Sequence, residues 1–344
     1  MKKGEDAVKK KYVWSVIFVS FLLLFAACSR EDYSEETIKP TEAVADTFPE
    51  ELRPFRIPWK ADAVALAKES KSIHYYFMSS CGMEMDLTDE DPLKWGDACL
   101  IVFPDGQTML IDSGKKAYGQ ILVENLRRLG IEKLDYLLFS HSHNDHCFGA
   151  LTEGGVLDSL PVGKIYWTSV KNTDWADRYN IELACQSREI DLQILRREDI
   201  LSFGDVTMEV LWPMEGAEYM SNLRIKNHNN QSCVVRFDYG EHSSLFTGDM
   251  YARGEGDLVT MSYDRLDVDL LKAPHHGQTT SNTAEFINAA SPEITVATGY
   301  LPIADKVQKR YAAVEATLLY DMAHGYIHVW SDGHEMQFET SQNP

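Results

Sequence analysis

The chain has 344 residues, 44% of them hydrophobic, and a formal net charge of −20. That length holds one large domain or two small ones around a sizeable core. The acidic balance argues against a tight, sequence-independent grip on long nucleic acid, which basic surfaces provide, and leaves small phosphoesters, metabolites and cell-wall fragments open as substrates.

The N-terminus carries its own pattern. Lys2, Lys3, Lys9, Lys10 and Lys11 precede an apolar run over 13–27, and Ala26-Ala27-Cys28 closes it. A basic stretch, a short hydrophobic core and small residues before a Cys resemble a bacterial lipoprotein signal peptide over 1–27, with Cys28 as the lipidated residue. A plain secretory signal or a membrane anchor shares the first two features, but the apolar run falls short of the roughly 20 residues that span a bilayer. Residues 28–58 are polar, acidic and broken by Pro40, Pro49, Pro54 and Pro58, as in a solvated tether. The expected product is an exported lipoprotein of the cell envelope, anchored to the membrane through Cys28, with its globular domain over 59–344.

Hydrophobic alternation and turn residues then predict strands at 72–79, 97–104 and 107–112, the last two closed into a hairpin by Pro104-Asp105-Gly106. A helix follows over 116–129, then strands at 134–140 and 164–168 and a long helix over 175–197. Strands at 206–212, 232–238, 243–248, 268–273 and 293–297 come next, with a helix at 283–290 between the last two. A helix over 308–322 and strands at 325–330 and 335–339 complete the pattern. Strands outnumber helices and hairpins alternate with crossovers, so mixed sheets are expected.

Chemistry concentrates at the ends of these strands. His141-Ser142-His143-Asn144-Asp145-His146 puts four potential metal ligands directly after the apolar segment 134–140. Residues i and i+2 of an extended segment point the same way, so His141 and His143 can share one ion. Past the bend, Asp145 and His146 address a second. Asp249 ends the apolar run 244–249, and His275-His276 ends the run 270–276. Three strand ends terminating in His or Asp are what convergence at one rim of a sheet requires.

With Trp95-Gly96-Asp97-Ala98, Leu110-Ile111-Asp112-Ser113-Gly114, the His141–His146 motif, Asn229-Asn230-Gln231-Ser232, Thr247-Gly248-Asp249 and Pro274-His275-His276-Gly277 in this order, the sequence resembles the metallo-β-lactamase superfamily over roughly residues 72–340. Within it, the resemblance is to the domain of ComEC-type DNA-uptake proteins. It implies an α/β fold, the αββα sandwich of two mixed sheets flanked by helices, and a water-activating dinuclear site. His141 and His143 would hold the first ion. Asp145, His146 and one of His275 and His276 would hold the second, and Asp249 would bridge. The donors suit two divalent ions, zinc ahead of manganese or iron.

A further His that many members carry before the Gly-Asp is replaced here by the region of His228 and Asn230. Asn230 is expected to face the first ion, with His228 the alternative. His242 belongs to the far end of the hairpin, roughly 20 Å away at about 3.3 Å per residue. Asp112 is expected to orient a ligand His or to cap its turn. Asp97 is expected to be structural, and Lys272 to point outward or pack. Asp145 and Asp249 would fix the attacking water, and a spare His of the pair, with His276 among the catalytic groups, would donate a proton to the leaving group. Ser281 or Asn282 is expected to cap the following helix. Cys99 and Cys233 read as buried thiols, Cys147 as a packed one, and no disulfide framework is implied. Three functions compete: a phosphodiester or phosphoester hydrolase, a lactonase or other ester or amide hydrolase on the same site, and a non-catalytic, metal-stabilised surface binding lipoprotein.

Overall fold

In β1 (Ile73–Phe77) every residue is buried, although alternate side chains leave opposite faces of the strand. A sheet covered on both sides explains this, and the order of elements supplies the covering. The computed structural model describes residues 56–78, 96–168, 170, 180–214, 228–299 and 302–342. After α1 (Ala63–Ser70) and β1 come β2 (Cys99–Val102), β3 (Thr108–Ile111), α2 (Gly119–Arg128) and β4 (Leu134–Leu138). Then follow α3 (Asn144–Leu151), α4 (Val156–Ser159), β5 (Val162–Trp167), α5 (Ile181–Arg188) and β6 (Asp191–Ile194). The second half holds β7 (Ile200–Phe203), β8 (Val206–Trp212), β9 (Val234–Tyr239), β10 (His242–Phe246), α6 (Ala252–Ser262) and β11 (Leu270–Lys272). It continues with α7 (Ala284–Ala290), β12 (Ile294–Ala297), α8 (Asp305–Ala313), β13 (Thr317–Tyr320), α9 (Asp321–His324), β14 (Ile327–Ser331) and β15 (Met336–Thr340).

The strands form two mixed sheets. One has the order β15-β14-β1-β2-β3-β4-β5-β6 and the other β13-β12-β11-β10-β9-β8-β7. In each, strands joined by helical crossovers pair in parallel, from β3 to β6 and from β10 to β13, and the hairpins pair antiparallel. Ile73, Tyr75, Phe77, Ile101 and Ile111 of the first sheet meet Val210, Val235, Phe237 and Phe246 of the second in a central core. The opposite face of the first sheet, with Tyr76, Leu100, Leu110 and Leu137, packs on Leu122, Leu126 and Phe148 of the helices. Val234, Leu245 and Leu271 of the second sheet pack on Leu258, Phe286, Val307 and Tyr311. The result is the expected αββα sandwich.

Two predicted helices differ. The described part of 175–197 is α5 followed by β6, and 308–322 divides into the end of α8, then β13 and α9. In both places a Glu takes the left-handed conformation that stops the helix, Glu189 at φ 54° and Glu315 at φ 60°. The chain then pairs as an edge strand. The helix after the His-His turn is capped by Thr283, whose hydroxyl accepts from Phe286 N at 3.3 Å, rather than by Ser281 or Asn282. Residues 1–55, with Cys28, and the aromatic stretch 174–179 lie outside the described residues.

On the helix-facing side of β1 lies a buried polar chain with no signature in the sequence. His74 Nδ1 is 3.0 Å from His328 Nε2, and His328 Nδ1 is 2.9 Å from Glu339 Oε1. Burial, with a contribution from His328, pushes His74 down to about 3. The folded state therefore resists protonation that the unfolded chain accepts near the usual 6.5. Stability is then full above that value and falls as the pH drops from about 6.5 towards 3, by up to about 1.4 kcal/mol per pH unit for one proton. Urea unfolding of His74→Phe across this range is expected to show a shallower acid loss than the wild type.

Candidate metal centre

The site lies where β4, β10 and β11 give out at the same rim. Beyond β4 the backbone of Ser140 donates to Asp112 Oδ1 at 2.8 Å, and the Ser140 hydroxyl donates to Asp112 Oδ2 at 2.6 Å. His143 is the N-cap residue of α3, so Asp145 and His146 occupy that helix's first turn and turn back over the strand end. Beyond β10 the hairpin register sets Asp249 against Ser232, whose hydroxyl accepts from Asp249 N at 3.0 Å. Gly248 between them has φ 52°, and a Cβ there would sit 2.7 Å from that of Ser232, so glycine is required. Past β11, His275 N donates to Gly248 O at 3.1 Å and ties the second and third segments together.

His275 and His276 both turn towards Asp249. Both have positive φ, 47° and 56°, and the chain turns so tightly that each Nε2 faces Asp249 Oδ2, at 3.7 and 3.4 Å. Asn282 holds this turn, its amide donating to Pro274 O at 3.0 Å and to Gln278 O at 2.8 Å. Glu255 of α6, fully buried, accepts in turn from the backbone N–H groups of Asn282 and Thr283, at 2.5 and 2.9 Å. Neither support has a motif. Glu255 in an amphipathic helix reads as an exposed acid.

Around Asp249 the donors converge. His146 Nε2 is 3.2 Å from Asp249 Oδ2 and 4.0 Å from Asp145 Oδ1, and His276 Nε2 is 3.6 Å from Asp145 Oδ2. His141 Nε2 stands 2.9 Å from His143 Nδ1, and the rings of His141 and His146 are 4.1 Å apart. All the expected ligands thus reach one pocket. Asp112 lies behind them, with Oδ2 2.8 Å from His146 Nδ1. That bond fixes the ring and turns Nε2 towards the site.

Lys272 does not point outward, and Asp97, expected to be structural, is its partner. They form a buried ion pair at 2.8 Å against the cluster, because Asp97 crosses beneath the His motif and the last residue of β11 points into the space between the sheets. Asn230 also departs from expectation. Its amide oxygen accepts from Tyr251 N at 3.1 Å, and the imidazole that comes near His143 is His228, with ring centres 5.8 Å apart. His242, as expected, lies at the far end of the hairpin, bonded to Ser331.

Electrostatics separates the histidines. Burial, reinforced by the neighbouring rings, holds His141 well below the usual range, and burial lowers His143 to about 4. Both are neutral at pH 7 with lone pairs to share. Burial also works against charge on His146, but Asp249, Asp112 and Asp145 outweigh it and hold the ring well above the usual value. His276 is raised in the same way by Asp249 and Asp97. Asp249 is held well below the carboxylate range, its burial outweighed by His276, His146 and His275.

The pocket fits metal ions. His143 Nε2, His146 Nε2 and Asp249 Oδ1 are buried and make no hydrogen bond, a costly arrangement unless a cation takes their lone pairs. Imidazole and carboxylate are the donors divalent transition metals prefer.

Residues 96–157 match the profile of the Metallo-beta-lactamase superfamily. The chain is 31% identical over 194 residues to Competence protein ComA of Neisseria gonorrhoeae, covering 56% of this chain and 24% of that protein. It is 26% identical over 241 residues to ComE operon protein 3 of Bacillus subtilis, covering 64% of this chain and 29% of that protein. The chain thus spans less than a third of the curated relatives it matches. Among solved structures, the metallo-beta-lactamase fold protein YhfI from Bacillus subtilis superposes with a TM-score of 0.46 at 15% identity, over 72% of this chain and 95% of that one. Residues 96–157 thus carry the metallo-β-lactamase superfamily signature, and the fold with its clustered ligands is that of a metal-dependent hydrolase in general. Within the superfamily, the curated relatives it resembles include the competence proteins just named.

The His228 placement has a direct consequence. Zinc titration of His228→Ala beside His141→Ala is expected to weaken binding of one ion in both variants, by about tenfold or more. Unchanged zinc affinity in His228→Ala would return that position to Asn230.

Proposed function

We propose that the domain hydrolyses phosphodiester or phosphoester bonds with two divalent ions, zinc in the first place. The observation that carries the reading is the convergence of His141, His143, Asp145, His146, Asp249 and His276 in one pocket, where His143 Nε2, His146 Nε2 and Asp249 Oδ1 are buried without a hydrogen bond. His141 and His143 would hold one ion with His228 beside them. His146, Asp145 and His276 would hold the other, and Asp249 would serve both. When bound, such ions supply an activated water near neutral pH and stabilise charge developing on the scissile group.

The chain's own residues do the rest. Asp112 keeps the His146 proton on Nδ1 and leaves Nε2 for ligation. Asp249 and Asp145 orient an attacking water through their carboxylates. His276 is sealed between Asp97, Asp145 and Asp249 with its side chain 1% exposed, so the proton-donor role first given to it falls to His275, whose side chain is 14% exposed at the mouth. Thr280, bonded to His275 Nδ1, and the Tyr251 ring, 4.8 Å from the imidazole, hold that side chain in place. No protein nucleophile is required. The Cys147 thiol is buried on His143 O, and burial pushes it well above the usual range.

Relatives named for competence, and one named Recombination protein 2 from Haemophilus influenzae, support a phosphodiester substrate. A cavity of about 170 Å³ beside His276 has Gly277, Thr279, Pro302 and Ile303 in its wall. These uncharged surfaces favour the second reading, an ester or lactone hydrolase. We further propose that Cys28 carries a lipid and presents the domain at the cell envelope. No described helix is long and apolar enough to cross a membrane.

The test is a panel of phosphodiester, phosphomonoester, lactone and β-lactam substrates with zinc- or manganese-loaded protein. Turnover is expected on a phosphoester, and Asp249→Ala is expected to lose at least about 100-fold. The metal-free variant should keep the wild-type fold by circular dichroism, because Asp249 lies at the rim beyond β10 rather than in the core. Wild-type turnover in Asp249→Ala would remove this residue from the mechanism, and metal-free protein after reconstitution would remove the enzyme reading.

A further inference from the structure

Asp97 and Lys272 stand behind the ligand pocket; the reading above places Asp97 beside His276 and gives Lys272 no part. Lys272 Nζ lies 2.8 Å from Asp97 Oδ2, with the side chains 5% and 7% exposed. The other oxygen, Oδ1, accepts from the Thr298 hydroxyl and is 3.4 Å from His276 Nδ1. The main chain pins the carboxylate as well. Asp97 N donates to Asp145 O at 3.0 Å, and Asp97 O accepts from Gly114 N at 2.8 Å. His276 meanwhile turns its Nε2 to Asp145 and Asp249.

Asp97, His146, Asp249 and His276 offer ligand atoms within 4.8 Å of one another. Asp97 is therefore either a ligand or the group that sets His276. Its bonding decides between them. Oδ2 is held by an ammonium group, and a divalent ion on that oxygen would face a like charge a few ångströms away in a low-dielectric interior. Oδ1 already serves a hydroxyl and faces a ring nitrogen. A shorter carboxylate contact stands behind the other inward ring, where Asp112 meets His146 Nδ1 at 2.8 Å.

We propose that the Asp97–Lys272 pair is a positioning device that keeps the His276 proton on Nδ1 and presents Nε2 to a metal ion. Lys272 offsets the Asp97 charge, so the carboxylate orients the ring without competing for the cation. Both inward imidazoles then have a carboxylate behind them, one unaccompanied and one carrying its own counter-ion. The inference rests on the metal-binding reading of the site. Its test reads a tautomer and metal affinity rather than turnover, so a failed hydrolase assay leaves it to be judged separately.

In the full chain labelled with ¹⁵N-histidine and loaded with Zn²⁺, long-range ¹H–¹⁵N spectra are expected to place the His276 proton on Nδ1. A proton on Nε2 would overturn the proposal, and this measurement needs no variant to fold. Asp97→Ala combined with Lys272→Met removes both buried charges together. Chelator competition is expected to show Zn²⁺ affinity for one ion reduced about 10–100-fold, with full occupancy at saturating zinc. Wild-type affinity would show that the pair does not position His276. Loss of one ion even at saturation would make Asp97 a ligand.

Discussion

Four carboxylates, Asp97, Asp112, Asp145 and Asp249, share one pocket at the rim of the two sheets, and three of them are fully buried. Like charges this close cannot all ionise in a low-dielectric interior without compensation. Lys272 offsets one. The imidazoles of His146 and His276 are driven to take protons by the remainder, while His141 and His143, further from the carboxylates, stay neutral. Divalent ions resolve the same crowding more completely, and their binding releases the protons held on Nε2. The pocket as bare protein thus concentrates charge that a divalent ion would offset.

The rest of the fold serves to hold that arrangement. Two sheets with both faces covered give strands that are rigid to their ends, and in each of the three segments the first ligand comes three residues beyond that end. The loops are then bound to one another through the main chain. Cys233 N donates to Ser140 O at 2.7 Å, Ser113 N to His146 O at 2.7 Å, and His275 N to Gly248 O at 3.1 Å. Close approach also explains Gly149 in α3, where a Cβ would fall 1.9 Å from Ser113 O. The turn itself is strained, with His275 and His276 at positive φ, and Asn282 and Glu255 stabilise it from behind.

Ligands that follow apolar strands were legible because strand periodicity and motif spacing are local. His141 to His146, Asp249 and the His-His pair all came from that signal, and the hairpin register placed His242 away from the site. Partners chosen across the interior left no such mark. Lys272 sits in a strand that is buried on both faces, so alternation does not tell which side it takes. Asp97 shows its role only when β11 is packed against β2. Asn230 looked like a ligand by its place in the chain, but its amide is taken by the backbone of Tyr251. The two helices that became helix plus strand were hidden by Glu189 and Glu315, which adopt a conformation that Gly or Asn usually announces.

The central claim is that Asp249, His146 and His276 form the heart of a metal centre with Asp97 held back from it. Anomalous diffraction from crystals of the zinc-loaded full chain tests this most directly. The account expects anomalous density bounded by Asp249 and the Nε2 atoms of His146 and His276, with a second peak beside His141 and His143. A peak seated on Asp97, or a pocket without anomalous density at saturating zinc, would contradict it.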